Sequence, residues 1–310
     1  MSLTTPESMR LRRRDLSRGG WSAEANKLYR LWFELLALSP SYELARRYRQ
    51  GKGRLSQDDR QRLPADFERV LQVYDDFGDV QQLFFKAWWL QRGLKLLGSQ
   101  GDRPETELLF KANAQQPLTD DKLRRTRHYF STAWKEAHQP DVAVIAVPLN
   151  IGRQKALREV KKLIDRHAVA LFQPPTPKYQ LADKDMHVKS LIDAMAVLYM
   201  RAAKPNFKLW QVGVEANISK SYSKMFNSKT TKRNSSNSEE LRHLEMMTSR
   251  KYRQARFIAE NAARGIFPSM RQPSDMVDFD PAEFNQVIRV KLKWKKTEIA
   301  RLQSEHPDTP

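Results

Sequence analysis

From residue 22 onward the chain repeats one pattern. Apolar residues recur at three- and four-residue spacing with polar and charged residues between them, the signature of amphipathic helices. Ser22 is placed to cap a helix whose stripe is Leu28, Leu31, Trp32, Leu35 and Leu36. The run "SPSYELARRYRQGKG" predicts a second helix ending at Gly51. Pro64 sits where a first helical turn tolerates proline, and Phe67, Val70, Leu71 and Tyr74 continue the stripe until "FGDV" breaks it. "QQLFFKAWWLQRGLKLLG" predicts a strongly apolar helix bearing Trp88 and Trp89. "LTDDKLRRTRHYFSTAWKEAH" predicts another, with Leu123, Tyr129, Phe130, Ala133 and Trp134. Residues 22–139 therefore read as a helical module.

The period changes at "DVAVIAVPLN", where β-branched residues cluster as in a buried strand. The following "IGRQKALREVKKLIDRH" has Leu157, Val160, Leu163 and Ile164 on one face. Arg153, Lys155, Arg158, Lys161, Lys162 and Arg166 crowd the other. "AVALF" is a second strand candidate and "QPPTPKYQ" a stiff linker, so 140–178 reads as a small α/β segment with a Pro-rich linker. Beyond it, "KSLIDAMAVLYMRAAK" predicts a helix with Leu191, Ile192, Met195, Leu198 and Tyr199 inward. "NSKTTKRNSSNSEE" has almost nothing to bury and is expected to be a mobile loop. "SEELRHLEMMTSRKYRQARFIAENAARGIFPS" is expected to hold two helices, the second starting near Thr248 or Ser249 and stopping at Gly265. Residues 179–270 form the expected C-terminal domain and 271–310 a helical tail. The expected fold class is mainly α: a helical N-terminal module, a small α/β insert, and a C-terminal helical domain.

One stretch in that domain, "NFKLWQVGVEANISKSYSKMF", fits a helix-turn-helix or winged-helix motif. Such a motif requires a small residue where the helices cross, a turn residue that tolerates a left-handed backbone, and a capped second helix with a polar outer face. Gly213 supplies the small residue, Asn217 the left-handed position, Ile218 an inward apolar residue and Ser219 the cap. Lys220, Tyr222 and Lys224 then face outward, with Met225 or Phe226 turned in. One departure stands: Ser223 occupies a position that usually carries a β-branched anchor. The alternative is a pair of packed helices with a solvated rim.

Charge sharpens this reading. The 310 residues carry a net charge of +19 with a pI near 10.1, a field that attracts polyanions, most commonly nucleic acid, with anionic membrane the other class. Thirteen basic and four acidic residues lie between Arg201 and Arg256, nearly half of the excess in under a fifth of the chain. Lys229, Lys232 and Arg233 lie in the polar loop, and Arg250, Lys251, Arg253 and Arg256 on the helix that follows. A helix beginning at "SRKYRQAR" would add its N-terminal dipole to those cations. Residues 1–21, with Arg10, Arg12, Arg13, Arg14 and Arg18, read as a flexible basic arm. With no cysteine, disulfides, thiol nucleophiles and cysteine-ligated metals are excluded. No apolar run approaches the ~20 residues of a membrane helix, and the arginines are not followed by the apolar core of a secretory signal. The expected location is the cytoplasm.

Catalytic motifs are sparse. The six histidines include no His-x-His or His-x-x-x-His pair, and no Gly-rich phosphate loop is present. Asp75, Asp76 and Asp79 cluster as a metal-dependent nuclease requires, but at a helix end, where Asp commonly caps. "LRHLEMMTSRKYRQAR" lacks the wider spacing and second box of a tyrosine recombinase. No cofactor or metal is implied, and the expectation is a non-enzymatic protein.

The combination of "LWFELLALSPSY" (Leu31–Tyr42), "YDDFGDVQQLFFKAWWLQRGLKLL" (Tyr74–Leu97) and "SRKYRQARFIAENAARGIFPS" resembles an uncharacterised group of proteins carried by bacterial integrative elements and phage-related islands. The resemblance covers about a quarter of the chain and rests on aromatic packing positions. It implies a mobile-element or defence context and brings no activity with it. The expectation is thus a DNA-binding regulator or the DNA-engaging subunit of such a complex. An RNA-binding subunit contacting through Arg153, Lys155, Arg158, Lys161 and Lys162 is the first alternative, and a metal-dependent nuclease the second. Other protein subunits are expected partners, with Trp88 and Trp89 as docking candidates, although core packing suits a Trp pair better.

Overall fold

The computed structural model describes residues 10–100, 106–113, 118–136, 141–167 and 176–305. The protein is mainly helical. The helices are α1 (Leu28–Leu36), α2 (Pro40–Gln50), α3 (Gln57–Gln61), α4 (Phe67–Phe77), α5 (Phe85–Trp88), α6 (Leu94–Leu97), α7 (Asp120–Ser131), α8 (Ala133–Glu136), α9 (Arg153–His167), α10 (Val188–Ala203), α11 (Leu209–Glu215), α12 (Lys220–Met225), α13 (Ser238–Ala262) and α14 (Pro281–Glu305). Three two-residue strands accompany them: β1 (Ser17–Arg18), β2 (Trp21–Ser22) and β3 (Ser99–Gln100). β2 pairs antiparallel with β3, Trp21 opposite Gln100 and Ser22 opposite Ser99.

The described residues divide into two compact units. One holds those up to Arg18, from Ala23 to Gly98 and from Pro177 onward; the other holds Gly19–Ser22 and those from Ser99 to Thr176. α1–α6 of the expected N-terminal module thus share one body with α10–α14 of the expected C-terminal region, while α7 and α8, expected in the same N-terminal module, fall in the other unit. α1 and α2 both pack on α13, and α10 packs on α1, α13 and α14.

Aromatic residues fill the core of that body. Trp32, Trp88, Trp89, Phe33, Phe77 and Phe267 are fully buried. Trp32 stacks on Phe267 with ring centroids 5.2 Å apart, which joins α1 to the segment after α13. A buried indole N–H needs an acceptor. Trp32 donates to the Ala262 carbonyl (3.2 Å), Trp88 to that of Phe77 (2.7 Å) and Trp89 to that of Asp15 (2.8 Å). Trp88 and Trp89 are therefore core residues, and the docking role considered for them is set aside: neither ring reaches the surface. A π-helical turn (Trp89–Gly93) links α5 to α6. Gly93 is required there, since a Cβ would lie 2.6 Å from the Trp88 ring.

Two sequence expectations are corrected. Asp141–Asn150 forms no strand: it is irregular and ends in a turn, with Val144 67% and Leu149 77% exposed. β-branched composition alone does not supply a partner edge. The second strand candidate, residues 168–172, lies outside the described residues. From Arg13 the expected flexible arm is a 3-10 turn (Arg13–Leu16). The Asp15 carbonyl holds Trp89, and its carboxylate lies 3.8 Å from Lys86.

The charged centre of the first unit is Glu260, fully buried near the end of α13. Its carboxylate accepts from the Ser39 hydroxyl (2.8 Å), the Ser41 N–H (3.0 Å) and the Ser41 hydroxyl (2.5 Å). Ser39 caps α2 and Pro40 occupies its first turn, so Glu260 sits on the positive end of the α2 dipole. Arg264, also buried, donates to Glu260 (2.9 Å) and to both oxygens of Asp66 (2.8 and 2.9 Å). Glu260→Ala removes one of Arg264's two carboxylate partners and leaves the α2 N-terminus without its buried acceptor. Removing one partner of a buried pair costs about 3–5 kcal/mol, so urea denaturation should show a loss of that size.

Candidate nucleic-acid interface

The stretch that read as a helix-turn-helix folds as helix, turn and helix. α11 spans seven residues and α12 six, joined by Ala216–Ser219. Asn217 takes the left-handed conformation its position called for, with φ 52°. Its N–H donates to the Val214 carbonyl (3.1 Å), and that of Ile218 to Gly213 (3.0 Å), which closes α11. Ser219 is extended at the N-cap, and its carbonyl accepts the Ser223 N–H (2.9 Å), but its side chain makes no capping bond.

Gly213 does a different job from the one expected. A Cβ there would lie 2.2 Å from Thr248 Oγ1 and 3.0 Å from Leu244 Cδ1. The helix that requires the small residue is α13, which crosses α11 at Gly213. α13 also seals the small core of the motif, where Trp210, Phe226, Leu241 and Leu244 are buried with Val214 and Tyr222 against them.

α13 itself corrects a second expectation. It is one continuous helix of 25 residues, with no break at Thr248 or Ser249. The Thr248 hydroxyl donates back to the Leu244 carbonyl (2.7 Å), so the polar residue is satisfied within the helix instead of capping a new one. Arg250, Lys251 and Arg253 thus sit mid-helix, without the dipole of a helix start. Glu239 and Glu240 occupy the true first turn instead.

The polar loop after α12 is built, not loose. Asn227 Oδ1 accepts from the N–H groups of Lys229 (2.9 Å) and Thr230 (3.2 Å). Asn234 Oδ1 accepts from the N–H of Ser236 (3.1 Å) and of Asn237 (3.1 Å), and Asn237 Nδ2 donates to the Lys232 carbonyl (3.0 Å). These side chains substitute for backbone partners in successive Asx turns. Ser228 is clamped to α11 through Gln211 Nε2 (2.7 Å to its carbonyl) and the Glu215 carboxylate. No paired strands follow α12 among the described residues, so the winged variant of the motif is not formed there.

The basic residues separate into two sets. Lys220, Lys224, Lys229, Lys232, Arg250 and Arg253 are exposed and have no ion-pair partner among the described residues. The others are engaged. Arg233 pairs with Glu245 (2.9 Å), Arg256 with Asp278 (2.5 Å), and Lys251 donates to Ser190 (3.1 Å). Tyr222, expected to face outward, is half-buried and stacks on Phe226 with centroids 6.2 Å apart. Its ring fills the motif's core, which removes it from the groove-facing set.

The alternative sites are also placed. Arg153, Lys155, Arg158 and Lys162 are exposed on α9, and Lys161 pairs with Asp165 (2.6 Å). Asp75, Asp76 and Asp79 do not converge. Asp75 pairs with Arg49 (2.5 Å), Asp76 with Lys178 (2.7 Å), and Asp79 accepts from Gln50 (3.3 Å) and from the Gln81 N–H (2.9 Å). No cluster of three or more His, Asp or Glu side chains suited to a metal occurs among the described residues. No helix among them is long and apolar enough to cross a membrane. Comparison with protein families, with curated proteins and with solved structures finds no match for this chain.

Ser223 is the packing position left polar, and its hydroxyl is buried without a hydrogen-bond partner. Ser223→Ala removes an unsatisfied donor from a half-buried site. A gain of about 1 kcal/mol is expected, read as a higher midpoint in thermal or urea unfolding.

Proposed function

We propose that the protein binds nucleic acid, duplex DNA in preference to RNA, through the exposed face of α12, the Asx loop and the mid-section of α13. The carrying observation is the conjunction of a helix-turn-helix geometry, Asn217 at positive φ, with six unpaired exposed cations on and beside it. Lys220 and Lys224 flank the outer face of α12 and would approach the groove. Lys229, Lys232, Arg250 and Arg253 would hold phosphates, which position the protein without reading sequence. The loop's Asx hydrogen bonds support this reading, because they restrict the backbone freedom lost when its cations bind. The role is that of a regulator or the DNA-engaging subunit of a larger assembly, in the mobile-element or defence setting that the sequence resemblance implies.

A second reading, an RNA-binding subunit, has one observation in its favour: α9 buries none of its residues and carries five exposed cations, Arg153, Lys155, Arg158, Lys162 and Arg166, with no ion pair among the described residues. Its apolar stripe is exposed as well, with Leu157 at 54% and Ile164 at 50%, which suits a protein partner on the same helix.

Replacing Lys220 and Lys224 together by Ala should flatten the dependence of log Kobs on log salt by about 0.9 for each phosphate that the variant no longer neutralises. Titrating a labelled duplex across a salt series with the wild type and the double variant measures this. An unchanged slope removes α12 from the interface. Competition between duplex DNA and structured RNA at one salt concentration separates the two readings, and a tenfold advantage for RNA overturns the first.

A further inference from the structure

The first unit contains a cleft of about 710 Å³ between α1, α10 and α14, within the range of small-molecule sites. Its walls are largely apolar, with Leu31, Leu38, Met195 and Ile288 among them. Two large apolar residues of α10 open onto it instead of joining the core: Ile192 is 45% and Tyr199 39% exposed. The α10 stripe is wider than packing against α1, α13 and α14 consumes, and the surplus lines the cleft. An apolar concavity of this size is unfavourable left to water, at about 25 cal/mol for each Å² exposed.

The polar groups at the cleft are unbalanced. Lys27, Arg30, Lys291 and Lys295 line it against two carboxylates, Glu34 and Glu215. Glu215 is engaged by Ser228, and Glu34 by Lys291 at 3.4 Å. Lys291 also lies over the Phe33 ring, 5.5 Å from its centroid. Burial alone would raise the Glu34 carboxyl, but Lys291, Lys295 and Arg30 hold it below the ordinary range, so it is ionised. Arg30 and Lys295 are left without an ion-pair partner among the described residues, and Lys295 is half-buried. Burial pushes the Lys295 ammonium down, against the pull of Glu34. Four cations share one cleft with two carboxylates, both already engaged, and a half-buried cation with no direct ion pair beside an apolar cavity is a site for an anion carried on an apolar body.

We infer that this cleft binds a free single-tailed anionic amphiphile, its tail along Ile192, Met195 and Tyr199 and its head on Lys295 and Arg30. Tail burial supplies the bulk of the affinity and the two cations select the sign of the head. The site is separate from the basic face around α12, and its occupancy does not require nucleic acid.

Isothermal titration of the full-length protein with dodecanoate, below its micelle-forming concentration, tests this. The expected result is saturable binding at one per chain. Dodecyltrimethylammonium, with the same tail and the opposite charge, should bind at least about tenfold more weakly, and so should dodecanoate to the Lys295→Glu variant. Ala196 lies on the cleft wall and is only half-buried, so Ala196→Trp should fill the cavity and abolish binding. Thermal melts check that both variants fold, and Lys295→Met serves if the charge reversal does not. Absence of saturable binding overturns the inference. So does equal affinity for the two head groups, or binding indifferent to the changes at both Lys295 and Ala196. A duplex titration in parallel reports on the nucleic-acid reading alone, since none of these residues belongs to its proposed contacts.

Discussion

The buried carboxylate of Glu260 is the constraint from which the rest of the architecture follows. An ionised group removed from water costs several kcal/mol unless hydrogen bonds and counter-charge replace its hydration. Here two serine hydroxyls, one backbone N–H and the Arg264 guanidinium do so. Arg264 is in turn satisfied by Asp66 and by the Glu260 and Asp275 carbonyls. The set draws on four separate parts of the sequence: the start of α2, the turn before α4, the end of α13 with the residues just after it, and the segment before α14. The network can be complete only when all four meet, so it selects one docking of the N-terminal helices on α13. Apolar packing around Trp32 and Phe267 supplies attraction but far less directional selectivity.

Fixing the end of α13 fixes the candidate interface. At 1.5 Å per residue its 25 residues reach about 37 Å. Ile258, Ala259 and Ala262 lie in the main core, while Leu241, Leu244 and Thr248 lie against α11 and α12. α13 is thus a beam clamped at one end that carries the helix-turn-helix at the other. α11 and α12 are too short to be stable helices alone. They are held because Gly213 lets α11 approach α13 closely and because Trp210 and Phe226 are buried against Leu241 and Leu244.

Much of this was legible in the sequence, and the failures share a cause. Helical periodicity marked α1, α2, α4 and α10 because a 3.6-residue stripe is a local property. Asn217 was legible for the same reason: its conformation is dictated by the turn it occupies. What local pattern could not supply was the identity of the partner. Gly213 reads as a helix-crossing residue, but only the tertiary fold shows that α13 crosses it. Thr248 and Ser249 read as a helix start, yet a threonine that bonds back to residue 244 continues a helix. "DVAVIAVPL" has strand composition and no neighbouring edge. The Asx loop was missed because composition reports how little a segment can bury, not how many of its own backbone groups it can satisfy. Asn227, Asn234 and Asn237 were the available signal.

The cleft and the basic face show the complementary limit. Each is made from what the core leaves over. On α10 the surplus is apolar, Ile192 and Tyr199. On α12 and α13 it is cationic. The end of α11 belongs to both: Glu215 lines the cleft, and its carboxylate also fixes Ser228 at the head of the Asx loop. A displacement of α11 large enough to widen the cleft would have to break the Ser228 contact or carry the loop with it. The lack of a side chain at Gly213 is what lets α11 lie close against Thr248 and Leu244 of α13. The cleft wall and the loop that presents Lys229 and Lys232 therefore meet at the end of α11, through Glu215 and Ser228.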